Sequence, residues 1–134
     1  MTLTLAHLCI LAAALLPIVC VGIAKGGQFG KPRSKGGYDN HDPRAWLAKQ
    51  TGYRARANAA QANSFEALPL FIAGVLIAQQ TLARQSLVDA LAVAFVVLRV
   101  LYIAMYVGDR QAARSVLWFL AFGVSIALVF SSLL

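Results

Sequence analysis

Charge is missing from long stretches of this chain and crowded into the segments between them. Residues 3–23 carry no Asp, Glu, Lys or Arg. Residues 57–83 carry one, Glu66; residues 86–107 carry two, Asp89 and Arg99; residues 116–134 carry none. About 20 apolar residues in helical form cross the hydrocarbon of a bilayer, and a helix satisfies its own backbone there without water. The pattern predicts an all-α integral membrane four-helix bundle. It forms a single domain over 1–134, with spans at about 3–23, 55–83, 86–107 and 114–134 and one polar loop at about 24–53. Composition agrees: 60% of residues are hydrophobic and 13% charged, about half the charge of an ordinary soluble domain. The first run is a poor secretory signal, because its first basic residue, Lys25, follows it. It is expected to remain as a helix, kinked at Pro17.

The net charge of +7 is concentrated, with eight of the twelve basic residues lying between Lys25 and Arg56. Arg110 and Arg114 flank the connection between the third and fourth spans, and Arg84 alone lies between the second and third. Basic residues gather on cytoplasmic loops, so the first and third connections are expected in the cytoplasm and both termini on the opposite side. A nucleic-acid partner is excluded, since its basic residues would need soluble surface. The long first loop, punctuated by Gly26-Gly27, Pro32, Gly36-Gly37 and Pro43, reads as a mobile lid or a contact for anionic lipid headgroups. His41 within it has no partner at metal-ligand spacing and reads as solvated; no metal site is expected. His7, in the first span, is expected to hydrogen-bond another helix. Cys9 and Cys20 read as small apolar packing residues.

Polar groups inside a bilayer are costly and point to function. Here they are Asn63 and Glu66 in the second span and Arg99, Tyr102 and Tyr106 in the third, with Arg56 at the cytoplasmic mouth. At 100° per residue Arg56, Asn63 and Glu66 share one stripe, while Gln61 points to another face. Arg99, Tyr102 and Tyr106 form a second stripe. Glu66 lies about ten residues, ~15 Å, below Arg56, and Arg99 about eight residues, ~12 Å, from the end of its span. An ion pair between Glu66 and Arg99 is expected at that depth. These groups could be polar glue between helices. Alternatively, Arg56, Arg110 and Arg114 ring the mouth of a cleft suited to a small anionic ligand, or to an anion formed there, such as a thiolate.

Three stretches resemble the MAPEG family, the membrane-associated proteins in eicosanoid and glutathione metabolism. They are Arg56-Ala57-Asn58-Ala59-Ala60-Gln61-Ala62-Asn63-Ser64-Phe65-Glu66-Ala67-Leu68-Pro69, Arg99-Val100-Leu101-Tyr102-Ile103-Ala104-Met105-Tyr106, and Arg114-Ser115. Asp42-Pro43-Arg44 followed by Gly52 is similar to the small bacterial branch. The resemblance implies a homotrimer in the bacterial inner membrane with both termini periplasmic. It implies glutathione as cosubstrate, bound between subunits on the cytoplasmic side, and a small lipophilic substrate arriving from the lipid bilayer. By position it implies binding roles for Arg56, Gln61, Asn63, Glu66, Tyr102 and Tyr106, stabilisation of the glutathione thiolate by Arg114, and a role beside it for Ser115. Two departures stand out. Ala59 occupies a place where characterised members often carry a second arginine. The spacing from Tyr106 to Arg114 is one residue shorter than in some members, so Arg110 competes with Arg114.

Two functions follow. One is a glutathione transferase or peroxidase acting on lipophilic electrophiles, which needs no protein nucleophile. The other is a non-catalytic membrane scaffold or binding protein that keeps the fold, a reading favoured by Ala59. A transporter is disfavoured, since no broken span or inverted repeat is present.

Overall fold

The computed structural model describes residues 2–134, which contain helices and turns and no strand. Helix α1 runs Leu5–Lys25, α2 Pro43–Ala48, α3 Gly52–Gln80, α4 Gln85–Val107 and α5 Gln111–Val129, with 3-10 turns at Arg33–Lys35 and Ser131–Leu133. All but α2 are long and apolar enough to cross a membrane, which makes four spans. The 23 residues of α4 extend about 35 Å, close to the hydrocarbon thickness; the 29 residues of α3 extend about 43 Å and overreach it.

The helix ends differ from those expected, and capping accounts for much of the difference. The start of α1 is fixed at Leu5 by Thr4, whose Oγ1 accepts from the His7 amide at 3.4 Å, and by Asp89, whose Oδ1 accepts from the Ala6 amide at 2.9 Å. His7 does not bridge to another helix as expected. Its Nδ1 accepts from the Thr4 amide at 3.1 Å and lies 2.8 Å from the Thr4 hydroxyl, because a residue three beyond the N-cap reaches back to it. At the other end α1 continues through Lys25, since Arg54 Nη1 donates to the carbonyls of Ala24 at 2.8 Å and Gly26 at 2.7 Å. Helix α3 begins at Gly52, ahead of its apolar portion, because nothing stops a helix at the membrane surface. Helix α1 runs unbroken through Pro17 and α3 through Pro69.

The four spans alternate in direction. Arg56 Nε donates to the Val107 carbonyl at 3.0 Å, so the start of α3 meets the ends of α1 and α4. At the far end Gln79 Nε2 donates to Gln85 Oε1 at 2.9 Å, and Gln85 Nε2 donates to Asp89 Oδ1 at 2.8 Å. Helices α3 and α4 pack against each other between α1 and α5, which take opposite corners.

Interior positions are dominated by small residues: Ala6, Ala13, Ala60, Ala78, Ala92, Ala121, Ser64 and Ser125 are all buried. Without a hydrophobic drive between helices in lipid, close backbone approach and dispersion hold the bundle together. Phe71 and Phe95 stack at 3.9 Å with planes 6° apart. The tightest approach is at Gly74, where a Cβ would lie 2.9 Å from Leu128 Cβ and 3.0 Å from the Ser125 carbonyl. Gly74→Val should force α3 and α5 apart and cost about 1–3 kcal/mol or more, read as a lower Tm in detergent; an unchanged Tm would show that the contact is loose.

The long loop, expected as a lid or a headgroup contact, is folded. Asp42 caps α2, accepting from the Ala45 amide at 3.1 Å, with Pro43 at the first helical position. Phe29, Tyr38 and Trp46 form edge-to-face contacts at 5.2 and 5.3 Å. Lys25 Nζ donates to the Tyr38 hydroxyl at 2.9 Å, and Trp46 Nε1 to the Gly36 carbonyl at 3.3 Å. Gly37 is required there, because any Cβ would collide with the Lys31 carbonyl. His41 is exposed, as expected.

Candidate functional site

The bond from Arg56 to Val107 sets α3 and α4 in register. Counting inward from it, Glu66 and Arg99 fall at nearly the same depth, ~15 and ~12 Å. Both line one cavity of about 210 Å³ between α3, α4 and α5. Asn63, Leu70 and Phe95 form part of its wall from the first two helices, and Trp118, Phe122 and Ser125 complete it from α5.

The expected Glu66–Arg99 ion pair is not formed; among the described residues the sole ion pair is Arg33–Asp39 in the loop, at 3.5 Å. Arg99 turns instead to Ser64, donating from Nη2 to Oγ at 3.3 Å, and lies over the Tyr102 ring at 4.1 Å. Its side chain is 2% exposed. Glu66 lies on the exposed flank of the cavity, taking only a long bond from Asn63 Nδ2 at 3.5 Å. Ser64 sits between the two stripes and satisfies one guanidinium N–H more closely than a carboxylate on the outer flank can. The Oδ1 of Asn63 is buried with no partner. A buried guanidinium with five N–H donors and a single hydrogen bond, an orphaned amide oxygen and a carboxylate thus face one small space.

A second depression of about 220 Å³ adjoins the first and shares Trp118 with it; Tyr102, Tyr106, Arg114 and Ser115 line it. Tyr102 and Tyr106 meet edge to face at 5.7 Å, and the Arg114 guanidinium lies over the Tyr106 ring at 4.3 Å. Helical periodicity produces this arrangement, since Arg114, Trp118 and Ser125 fall on one face of α5.

Of the residues singled out from sequence, Asn63, Glu66, Arg99, Tyr102, Tyr106, Arg114 and Ser115 are brought together. Three are not. Arg56 is turned to the end of α4, where it satisfies an orphan carbonyl. Gln61 faces a different groove, with Lys25 and Arg44. Arg110 lines a shallow depression on the turn with Asp109 and Gln111; it precedes the first residue of α5, so its side chain leaves the face that Arg114 occupies. Sequence reasoning missed Ser64, Trp118, Phe122 and Ser125. The i, i+4, i+8, i+11 spacing from Arg114 through Trp118 and Phe122 to Ser125, with a serine in an apolar span, was the available signal.

A four-span bundle holding an uncompensated buried guanidinium beside an aromatic and cationic depression defines a class of multi-pass membrane protein built around a polar internal cavity. The chain belongs to the MAPEG family, whose model matches residues 5–134. Comparison with curated proteins and with solved structures returned no match.

Proposed function

We propose that this protein binds glutathione as a cosubstrate and transfers it to, or reduces with it, a small lipophilic electrophile drawn from the bilayer. The observation that carries the reading is the paired depression around Trp118. Arg99 and Arg114 face it, neither in an ion pair among the described residues, and Asn63 and Glu66 stand on the opposite wall. Glutathione carries two carboxylates, an amine and a thiol. Cations suit its carboxylates, Glu66 suits its amine, and Arg114 beside Tyr106 suits a thiolate by opposite-charge stabilisation. The apolar remainder of the lining suits the second substrate.

The functional unit in this reading is a homotrimer. Glu66 is midway along α3, fourteen residues from Gly52 and fourteen from Gln80, and its exposed flank would face lipid in a single copy. A carboxylate there is costly, and a neighbouring subunit would cover it. Orientation follows the basic residues: the end bearing α2 is cytoplasmic and both termini are periplasmic, in a bacterial inner membrane.

A second reading, a non-catalytic scaffold or binding protein, is favoured by Ala59 and by the use of Arg56 as a helix cap. Titrating the purified protein in detergent with glutathione separates the two. The enzyme reading expects a concentration-dependent rise in Tm by mass action together with a thiolate band in ultraviolet difference spectra. A rise in Tm without the band supports binding alone, and neither signal defeats both glutathione readings.

A further inference from the structure

The connection between α3 and α4 closes a helix in the way that glycine usually serves. The Ala83 amide donates to the Ala78 carbonyl at 3.0 Å and the Leu82 amide to the Gln79 carbonyl at 3.3 Å. This closure sets Leu82 in the left-handed region, at φ 57°, where a side chain is strained and glycine is free. The connection between α4 and α5 meets the same demand at φ 59° with Asp109, an exposed and short polar residue of the kind that tolerates this region. Leu82 is 90% exposed. Contacts within the chain therefore do little to offset its strain, and what favours leucine there lies outside the chain.

Two more leucines share its situation. Leu3, ahead of α1, and Leu133, past α5, are 82% and 80% exposed at the same end of the bundle, the end remote from α2. Among the described residues the charges at that end are Asp89, whose Oδ1 caps α1, and Arg84, which is exposed and makes no side-chain hydrogen bond or ion pair. The length of α3 sets the depth of this end. It exceeds the hydrocarbon by about 13 Å, or roughly nine residues. Arg54 and Arg56 lie in its first two turns, so the excess projects on the α2 side. Gln80 then stands at the opposite hydrocarbon boundary, and Leu82 follows within a headgroup layer about 5–7 Å deep.

We propose that Leu3, Leu82 and Leu133 form an apolar rim that inserts into the lipid of that leaflet, with Arg84 reaching its phosphates. Arginine suits the position, because its stem lies along apolar surface while the guanidinium stays at the headgroups. The rim continues the lipid-facing sides of the spans around the end of the bundle. A second copy of the chain fits it less well, since a stable protein interface takes about 20–30 residues a side.

A nitroxide spin label reads the depth directly. Cys9 and Cys20 are buried, so Leu82→Cys, Leu133→Cys and, on the exposed loop, Lys35→Cys can each be labelled in the full-length protein. After reconstitution into bilayers of phosphatidylethanolamine and phosphatidylglycerol, collisions with oxygen, which concentrates in lipid, are compared with collisions with a water-soluble nickel chelate. Oxygen should prevail at Leu82 and Leu133, and nickel at Lys35. Arg84→Glu should lower the oxygen-to-nickel ratio at Leu82, and Arg84→Lys should keep it. Nickel prevailing at Leu82 and Leu133 puts the rim in water and overturns the proposal. Low access of both reagents puts protein over the rim and overturns it equally. An unchanged ratio in Arg84→Glu overturns the phosphate contact.

Discussion

Replacing Arg114 by alanine should erase the thiolate band that glutathione develops on the wild-type protein and lower turnover of a lipophilic electrophile by about 10²–10³-fold, the usual loss for one preorganised charge-stabilising group. The fold should survive. Arg114 is half-buried at the rim of the second depression, and its guanidinium lies over the Tyr106 ring at 4.3 Å, a contact worth about 0.5–1 kcal/mol at an exposed site. Tm should therefore fall by no more than a few degrees. Arg110→Ala, on the other side of the turn, should leave the band intact. A band lost in Arg110→Ala and kept in Arg114→Ala would exchange the two roles.

Arg99 should give the opposite split between stability and binding, depending on the replacement. Arg99→Ala removes a large buried side chain, leaves Ser64 without its donor, and should cost about 2–5 kcal/mol, as core truncations do. Arg99→Met keeps most of the volume while removing a charge that has no carboxylate partner. Exchanging buried charge for a well-packed apolar group is often neutral or stabilising by about 1–4 kcal/mol. The methionine variant should thus unfold at or above the wild-type Tm yet lose the rise in Tm caused by glutathione. If Arg99→Met unfolds as readily as Arg99→Ala, the guanidinium holds the bundle together and the cavity is polar glue.

The spans were legible because absence of charge over twenty residues has few structural meanings. Their ends were not, because the groups that cap them are remote in sequence: Arg54 reaches Ala24 and Gly26, Asp89 reaches Ala6, and Arg56 reaches Val107. Helical spacing put Glu66 and Arg99 at one depth, and both line one cavity with Asn63. It could not say which way a guanidinium would turn, and Ser64, one residue from Asn63 but 100° round the helix, took the bond assigned to Glu66. The internal packing of the loop was hidden for a related reason. Its glycines and prolines suggested mobility, while three aromatic rings far apart in sequence, Phe29, Tyr38 and Trp46, give it a core of its own.

The cations beside α2 are of two kinds. Arg54 and Arg56 hold down the frayed ends of neighbouring helices, whereas Lys31, Lys35 and Lys49 are exposed. Attempts to flip the protein during insertion by stripping its basic residues would therefore give an ambiguous answer if the arginines were included, since an unravelled chain and an inverted one both lose their native reactivity. Neutralising the three lysines alone separates the signal that a translocation machine reads from the fastening that the finished protein needs.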